Sequence, residues 1–262
     1  MKITCLAENT AGRACCGTEH GLSLFIETNG KKILFDTAAS GLFAENAEKL
    51  GVDLAEADIA ILSHGHYDHG GGLETFFRIN DHAFVYANRN VFECFMDHER
   101  YIGLDQKLYD RPRIRFVDDE LQLSEWAELH TFQKKRTVVP ILSDGLSVKR
   151  EGVLVPEQFN HEQYLLIREN GKQILISGCS HKGIINIMNW CEPDVLVGGF
   201  HFFRLDMQKE GPELLEKTAE ALLQHQTTYY TCHCTGTEQY AFLKERMGER
   251  LHYIASGDVV TI

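Results

Sequence analysis

No apolar run in this chain approaches the roughly 20 residues that a membrane helix needs, which argues against a membrane partner. The first residues, Met1-Lys2-Ile3-Thr4-Cys5-Leu6-Ala7-Glu8, lack the long apolar core and cleavage site of a secretory signal. Basic residues are few. Twenty-six Lys and Arg stand against 38 Asp and Glu, a net charge of −12, which opposes a nucleic-acid backbone as partner. The eight cysteines show no disulfide framework, and the adjacent pair Cys15-Cys16 bridges only with strain, so reduced thiols in a cytoplasmic protein are expected. No Pro/Ser-rich linker and no internal repeat interrupt the chain, so 1–262 reads as one domain.

What is present is alternation of strand-like and helical patterns. Asn29-Gly30 and Asn170-Gly171 each sit between two apolar strand-like runs, the signature of a hairpin. Helical patterns are expected over Gly41 to Leu50, Leu73 to Asn80, Val91 to His98, Gly183 to Trp190, Pro212 to Gln224 and Glu238 to Met247. The stretch 101–156 is less regular, although Arg113 to Val117 and Glu128 to Phe132 look like strands. It is broken by Pro140, Asp144-Gly145 and Gly152, and reads as an insertion that walls a substrate pocket.

The densest chemistry is Ser63-His64-Gly65-His66-Tyr67-Asp68-His69-Gly70-Gly71. Three imidazoles and a carboxylate follow the buried-strand run Ile59 to Leu62, a ligand mixture that divalent transition metals favour. On an extended strand end, His64 and His66 point the same way and can share one metal. His69 points elsewhere and can serve a second.

His-x-His-x-Asp-His after an apolar strand resembles the metallo-β-lactamase superfamily. The resemblance implies an α/β fold, an αβ/βα sandwich of two mixed sheets flanked by helices, with one or two bound metals. It also implies later ligands in order: His161 before the second hairpin, Cys179 in Gly178-Cys179-Ser180-His181 where relatives often carry Asp, and His233 in Thr231-Cys232-His233-Cys234. By this resemblance His64, His66 and His161 hold one metal, Asp68, His69 and His233 the other, and Cys179 touches both. Thiolate favours zinc, with manganese or iron as alternatives. Asp36 matches a residue that buttresses the metal loop. If the strand before His233 persists, Cys232 and Cys234 point opposite to it, and they are read as packing groups.

Glu19-His20-Gly21-Leu22-Ser23-Leu24, Gly178-Cys179-Ser180-His181, Gly199-Phe200-His201 and His233-Cys234-Thr235-Gly236 are similar to one branch, metal-dependent hydrolases related to an archaeal ribofuranosyl-aminobenzene phosphate synthase of the methanopterin pathway. The expected activity is hydrolysis of an ester, amide or phosphoester bond in a small-molecule substrate by a metal-bound hydroxide. Asp68 takes the nucleophile's proton, and His181 or His201 serves as acid or oxyanion stabiliser. Hydrogen bonding that orients the metal ligands is the rival role for those two histidines. A synthase or transferase on a pterin- or ribose-phosphate-like compound, and a non-catalytic binder or redox sensor working through Cys179, stand as alternatives.

Overall fold

The computed structural model describes residues 1–262 and contains two seven-stranded sheets stacked face to face. The first runs Val259–Thr261, Lys2–Ala7, Ser23–Thr28, Lys31–Phe35, Ile59–Leu62, Phe84–Asn88, Ile114–Val117. The second runs Leu251–Tyr253, Thr228–Thr231, Val195–Val197, Lys172–Ile176, Tyr164–Glu169, Ala127–His130, Glu120–Ser124. Each sheet is parallel on one side and antiparallel on the other, joined by its Asn-Gly hairpin.

Strand alternation sorts the core into layers. Ile33, Phe35 and Ile61 of the first sheet meet Leu165, Ile167, Ile176 and Val197 of the second between the sheets. The opposite-parity residues Leu34, Leu62 and Val85 pack outward on Phe43, Ala47 and Phe76 of the helical segments Leu42–Leu50 and Leu73–Ile79. On the other face Leu166, Leu175 and Leu196 pack on Ile187, Leu215 and Leu243 of the helices Ile184–Trp190, Gly211–Leu223 and Thr237–Met247. The result is helix, sheet, sheet, helix. No helix is long and apolar enough to cross a membrane.

Two local expectations change. Val91 to His98 is not a helix: Cys94–Asp97 is a strand paired with Leu146–Lys149, so tertiary pairing overrides local pattern. The 101–156 stretch is also not one insertion. Ile114–Val117 forms an edge of the first sheet, and Glu120–Ser124 and Ala127–His130 an edge of the second. Only the remainder behaves as a wall, where Leu146–Arg150 and Val153–Pro156 join Cys94–Asp97 and Arg100–Tyr101 in a small sheet over the site.

Candidate metal centre

The site lies at the carboxyl ends of the parallel strands, where chain leaves the sheets and side chains are free to converge. Ile59–Leu62 leads into Ser63 to His69, Lys172–Ile176 into Cys179 and His181, Val195–Val197 into His201, and Thr228–Thr231 into His233. A single turn of helix, Tyr67–Gly70, carries Asp68 and His69, and it brings the His69 ring to 4.1 Å from that of His64. The loops from the two sheets touch at Gly178. A Cβ built there would sit 2.2 Å from Ser63 Oγ, so glycine permits the approach. Asp36, Ser180, His201 and His233 all hold left-handed backbone, with φ between 48° and 58°. Such strain persists where the surrounding structure dictates it, and it clusters at functional sites.

Asp36 organises the centre. Its carboxylate accepts from Ser63 N at 2.7 Å, Ser63 Oγ at 2.6 Å and His69 Nδ1 at 2.6 Å. Because Ser63 gives its only hydroxyl proton to Asp36, it accepts from His64 Nδ1 at 2.8 Å. One buried carboxylate therefore fixes the tautomer of two histidines. Both are left with a bare Nε2, and that of His64 is buried without a partner.

His233 reaches the same state by another route. Asn9 Oδ1 accepts from Gly21 N and faces His233 Nδ1 at 2.7 Å, so His233 donates from Nδ1. The Nε2 atoms of His69 and His233 then face each other at 3.2 Å, with Cys179 Sγ 3.1 Å from His69 Nε2. Two lone pairs at that separation repel unless a cation lies between them. Asp68 Oδ2 stands 3.4 Å from His233 Nε2. Donor set, tautomers and crowding all fit a divalent metal bound by Asp68, His69, Cys179 and His233.

The other half of the cluster differs from expectation. His161 is buried, but its Nδ1 accepts the Gly65 N–H at 2.7 Å, which places its proton on Nε2, against Glu157. No lone pair remains for a metal. Glu157 also meets His66 Nε2 at 3.3 Å, leaving His66 Nδ1 as its free nitrogen. The ring that joins His64 and His66 is His181. Its centroid lies 4.9 Å from each, and both its nitrogens are buried without partners. His64, His181 and Cys179 bring one donor atom each to within 4.8 Å of one another. The Glu162 carboxylate fixes the loop by accepting from His181 N and Lys182 N, and Phe159 stacks flat on the His181 ring at 4.4 Å.

Cys232 packs between the sheets as expected, but Cys234 does not simply pack. His233–Thr235 is a turn of 3₁₀ helix rather than continued strand, and it swings Cys234 into the cavity wall, where its thiol donates to Cys179 O. Asn9, His20, Glu157 and Glu162 carried no motif that assigned them a role in the sequence. His20 accepts from Asn9 Nδ2 and donates from Nε2 to Asp68 Oδ2 at 3.2 Å. Its place in Glu19-His20-Gly21 was the one available signal.

Electrostatics follow burial. Burial opposes ionisation of Asp68, but His69, His20 and His233 outweigh it and hold the carboxyl well below its usual range. Burial likewise opposes ionisation of Glu157, and His161 and His66 bring it down to about 2. Burial pushes the Cys179 thiol well up, so ionising it requires a metal. It also pushes His233 down to about 4, His201 to about 3, and His64 and His181 well below the ordinary range.

These four neutral imidazoles predict an acid-labile metal-free protein. The unfolded chain takes up their protons near pH 6.5 and the folded chain does not, so stability falls as pH drops from about 6.5 towards 4, His233 alone accounting for about 3 kcal/mol. His66, raised by Glu157 against the effect of burial, opposes this in part. Thermal midpoints of chelated protein at pH 7.5 and 4.5 check the sign. Equal midpoints contradict neutral buried imidazoles.

A cavity of about 320 Å³ opens onto the cluster, lined by His20, His66, Asp68, Cys179, His181, His201 and His233 among others. Its mouth carries Arg100 and Arg204. Arg204 pairs with Asp97 at 2.8 Å, and Arg100 lies over the Tyr67 ring.

The model of the metallo-beta-lactamase superfamily matches residues 16–222. A 7,8-dihydropterin-6-methyl-4-(beta-D-ribofuranosyl)-aminobenzene-5'-phosphate synthase of Methanocaldococcus jannaschii is 29% identical, over 99% of this chain and 96% of that protein. Among solved structures, Tm1679, described as a metal-dependent hydrolase of the beta-lactamase superfamily, superposes with a TM-score of 0.82 at 27% identity, covering 100% of this chain and 99% of that one. Zinc-bound PqqB from Methylobacterium extorquens shares the fold, with a TM-score of 0.60 at 11% identity and full coverage of both chains.

Proposed function

The chain belongs to the metallo-beta-lactamase superfamily, and from that premise we propose that it is a metal-dependent hydrolase that cleaves an ester, amide or phosphoester bond of a small molecule. The observation that carries this reading is the pair of deprotonated Nε2 atoms of His69 and His233 at 3.2 Å, beside the Cys179 thiol. Asp68, His69 and His233 would hold one divalent ion together with Cys179, whose thiolate favours zinc. His64, His66 and His181 would hold a second, and Cys179 lies beside both groups. His161 serves behind them as a positioning residue. Bound there, such ions would lower the pKa of water and polarise a carbonyl or phosphoryl group.

The remaining steps fall to the chain's own groups. Asp68, kept anionic by the His20 Nε2–H that it accepts, orients the attacking water and accepts its proton. His201 has both ring nitrogens buried without partners and is neutral at physiological pH. A neutral imidazole of this kind donates a hydrogen bond to developing oxyanion charge rather than acting as a strong acid. Arg100 at the mouth attracts anionic substrates into an otherwise acidic protein.

Removing metal with a chelator is expected to abolish turnover on a panel of carboxylic ester, lactone, thioester and phosphodiester substrates, and zinc is expected to restore it. Full activity of the chelated protein refutes the reading. A synthase acting on a pterin- or ribose-phosphate-like compound is the second reading, favoured by the full-length similarity to the M. jannaschii synthase. Product formation from such precursors, without hydrolysis of any panel member, selects it.

A further inference from the structure

A second cavity, of about 300 Å³, lies on the far side of the metal centre. Its walls include Leu142 and Pro140 from the loop before the small sheet, Ile184 and Ile185 at the start of one helix, Phe202, and Leu214 from the next helix. The two residues it shares with the metal-side cavity are His181 and His201. Their rings stand 4.2 Å apart and form the partition between a polar chamber and an apolar one.

Three observations indicate that this chamber is built to be filled. Leu142 and Leu214 are 60% and 38% exposed, which leaves large apolar side chains at its mouth facing water. All four ring nitrogens of the partition are buried and without partners. A metal takes at most one nitrogen of His181, so polar atoms in the partition still require hydrogen-bond partners. Finally, the one charged residue lining the chamber is Asp144, with no cation among the other lining residues, which disfavours an anionic occupant. Either chamber alone is at the lower limit for ligand pockets, roughly 300–1,000 Å³, so a substrate of ordinary size spans both.

We propose that the apolar chamber seats a neutral aromatic arm of the substrate, joined past His181 and His201 to the anionic or carbonyl head that the metal centre engages. Flat occupants suit walls made of Phe202, Pro140 and the His201 ring. A polar atom at the junction meets the unpartnered nitrogens of the partition. The proposal rests on the metal-centre reading above and adds to it the chemical class of the substrate: a molecule in two parts, with an aryl group attached to the bond that is cleaved.

The test compares two non-hydrolysable probes, 1-naphthylmethylphosphonate and methylphosphonate, titrated calorimetrically into the zinc-loaded full chain. The naphthyl probe is expected to bind at least about tenfold more tightly, from burial of its ring. Leu214→Trp fills the mouth and Leu142→Asp sets a charge opposite it. Both positions are exposed enough to accept the change. Each variant is expected to erase the preference while holding methylphosphonate affinity within about twofold of the parent. The proposal is overturned by equal affinities in the parent chain, by a preference that survives in either variant, by parallel weakening of both probes, or by failure of both to bind. Because the readout is binding, the aryl preference stands or falls apart from turnover. A preserved preference in a protein that hydrolyses nothing sinks the hydrolytic reading alone.

Discussion

His181→Ala is expected to release about one metal equivalent per chain and to lower turnover roughly a thousandfold, the several kcal/mol that a catalytic metal contributes. His161→Gln is expected to keep its metal. The contrast separates two residues that sequence pattern would rank the other way. His161 has spent its Nδ1 lone pair on the Gly65 N–H and holds its proton towards Glu157, and a glutamine side-chain oxygen can accept the same N–H. His181 has both nitrogens buried without partners beside His64 and His66. Metal content by elemental analysis, with activity on the best panel substrate, decides the matter. Loss of metal in His161→Gln with retention in His181→Ala reverses the assignment.

Asp36→Asn is expected to weaken metal binding by about 10- to 100-fold, the range found when residues that orient ligands are lost. The carboxylate accepts three donors: Ser63 N, Ser63 Oγ and His69 Nδ1. An amide has one acceptor oxygen, and its NH₂ would point a donor at Ser63 Oγ or at His69 Nδ1. His69 relieves that clash by moving its proton to Nε2, the nitrogen that the metal needs. The backbone is not at issue, because Asn tolerates the left-handed conformation seen at Asp36, φ 58°. Competition against a chelator of known affinity measures the loss. A further cost of about 1–3 kcal/mol is expected in the metal-free protein, where a buried donor goes unsatisfied. Unchanged metal affinity would mean that the carboxylate does not set the tautomers.

The elements most legible in the sequence were those with strong local chemistry. The Asn-Gly hairpins, the apolar strand before the histidine run and the helix opening at Pro212 appear where pattern placed them. The His64 to His69 run was legible because spacing alone crowds its ligands. His161 reads as a ligand in the sequence because a motif position specifies a residue type and not which nitrogen is free. That depends on the Gly65 N–H, 96 residues away in sequence. Glu157 and Glu162 were invisible for the same reason, since a glutamate in a polar loop gives no sign of burial until the fold closes over it. Cys94–Asp97 read as helix because its partner, Leu146–Lys149, lies some 50 residues downstream. Cys234 was assigned by strand parity, which fails once the backbone turns into 3₁₀ helix at His233.

The donor atoms come from both halves of the chain. His64, His66, Asp68 and His69 ride on the first sheet, and Cys179, His181 and His233 on the second. Ions bound among them are rivets across two leaves that otherwise adhere through the shared apolar core and a few cross-sheet hydrogen bonds, such as Gln163 N–H to Ser63 O and Gly65 N–H to His161 Nδ1. Calorimetry should therefore register a single cooperative endotherm for the loaded protein. After stripping, the leaves are free to melt at separate temperatures, so occupancy becomes readable from the shape of a heating curve.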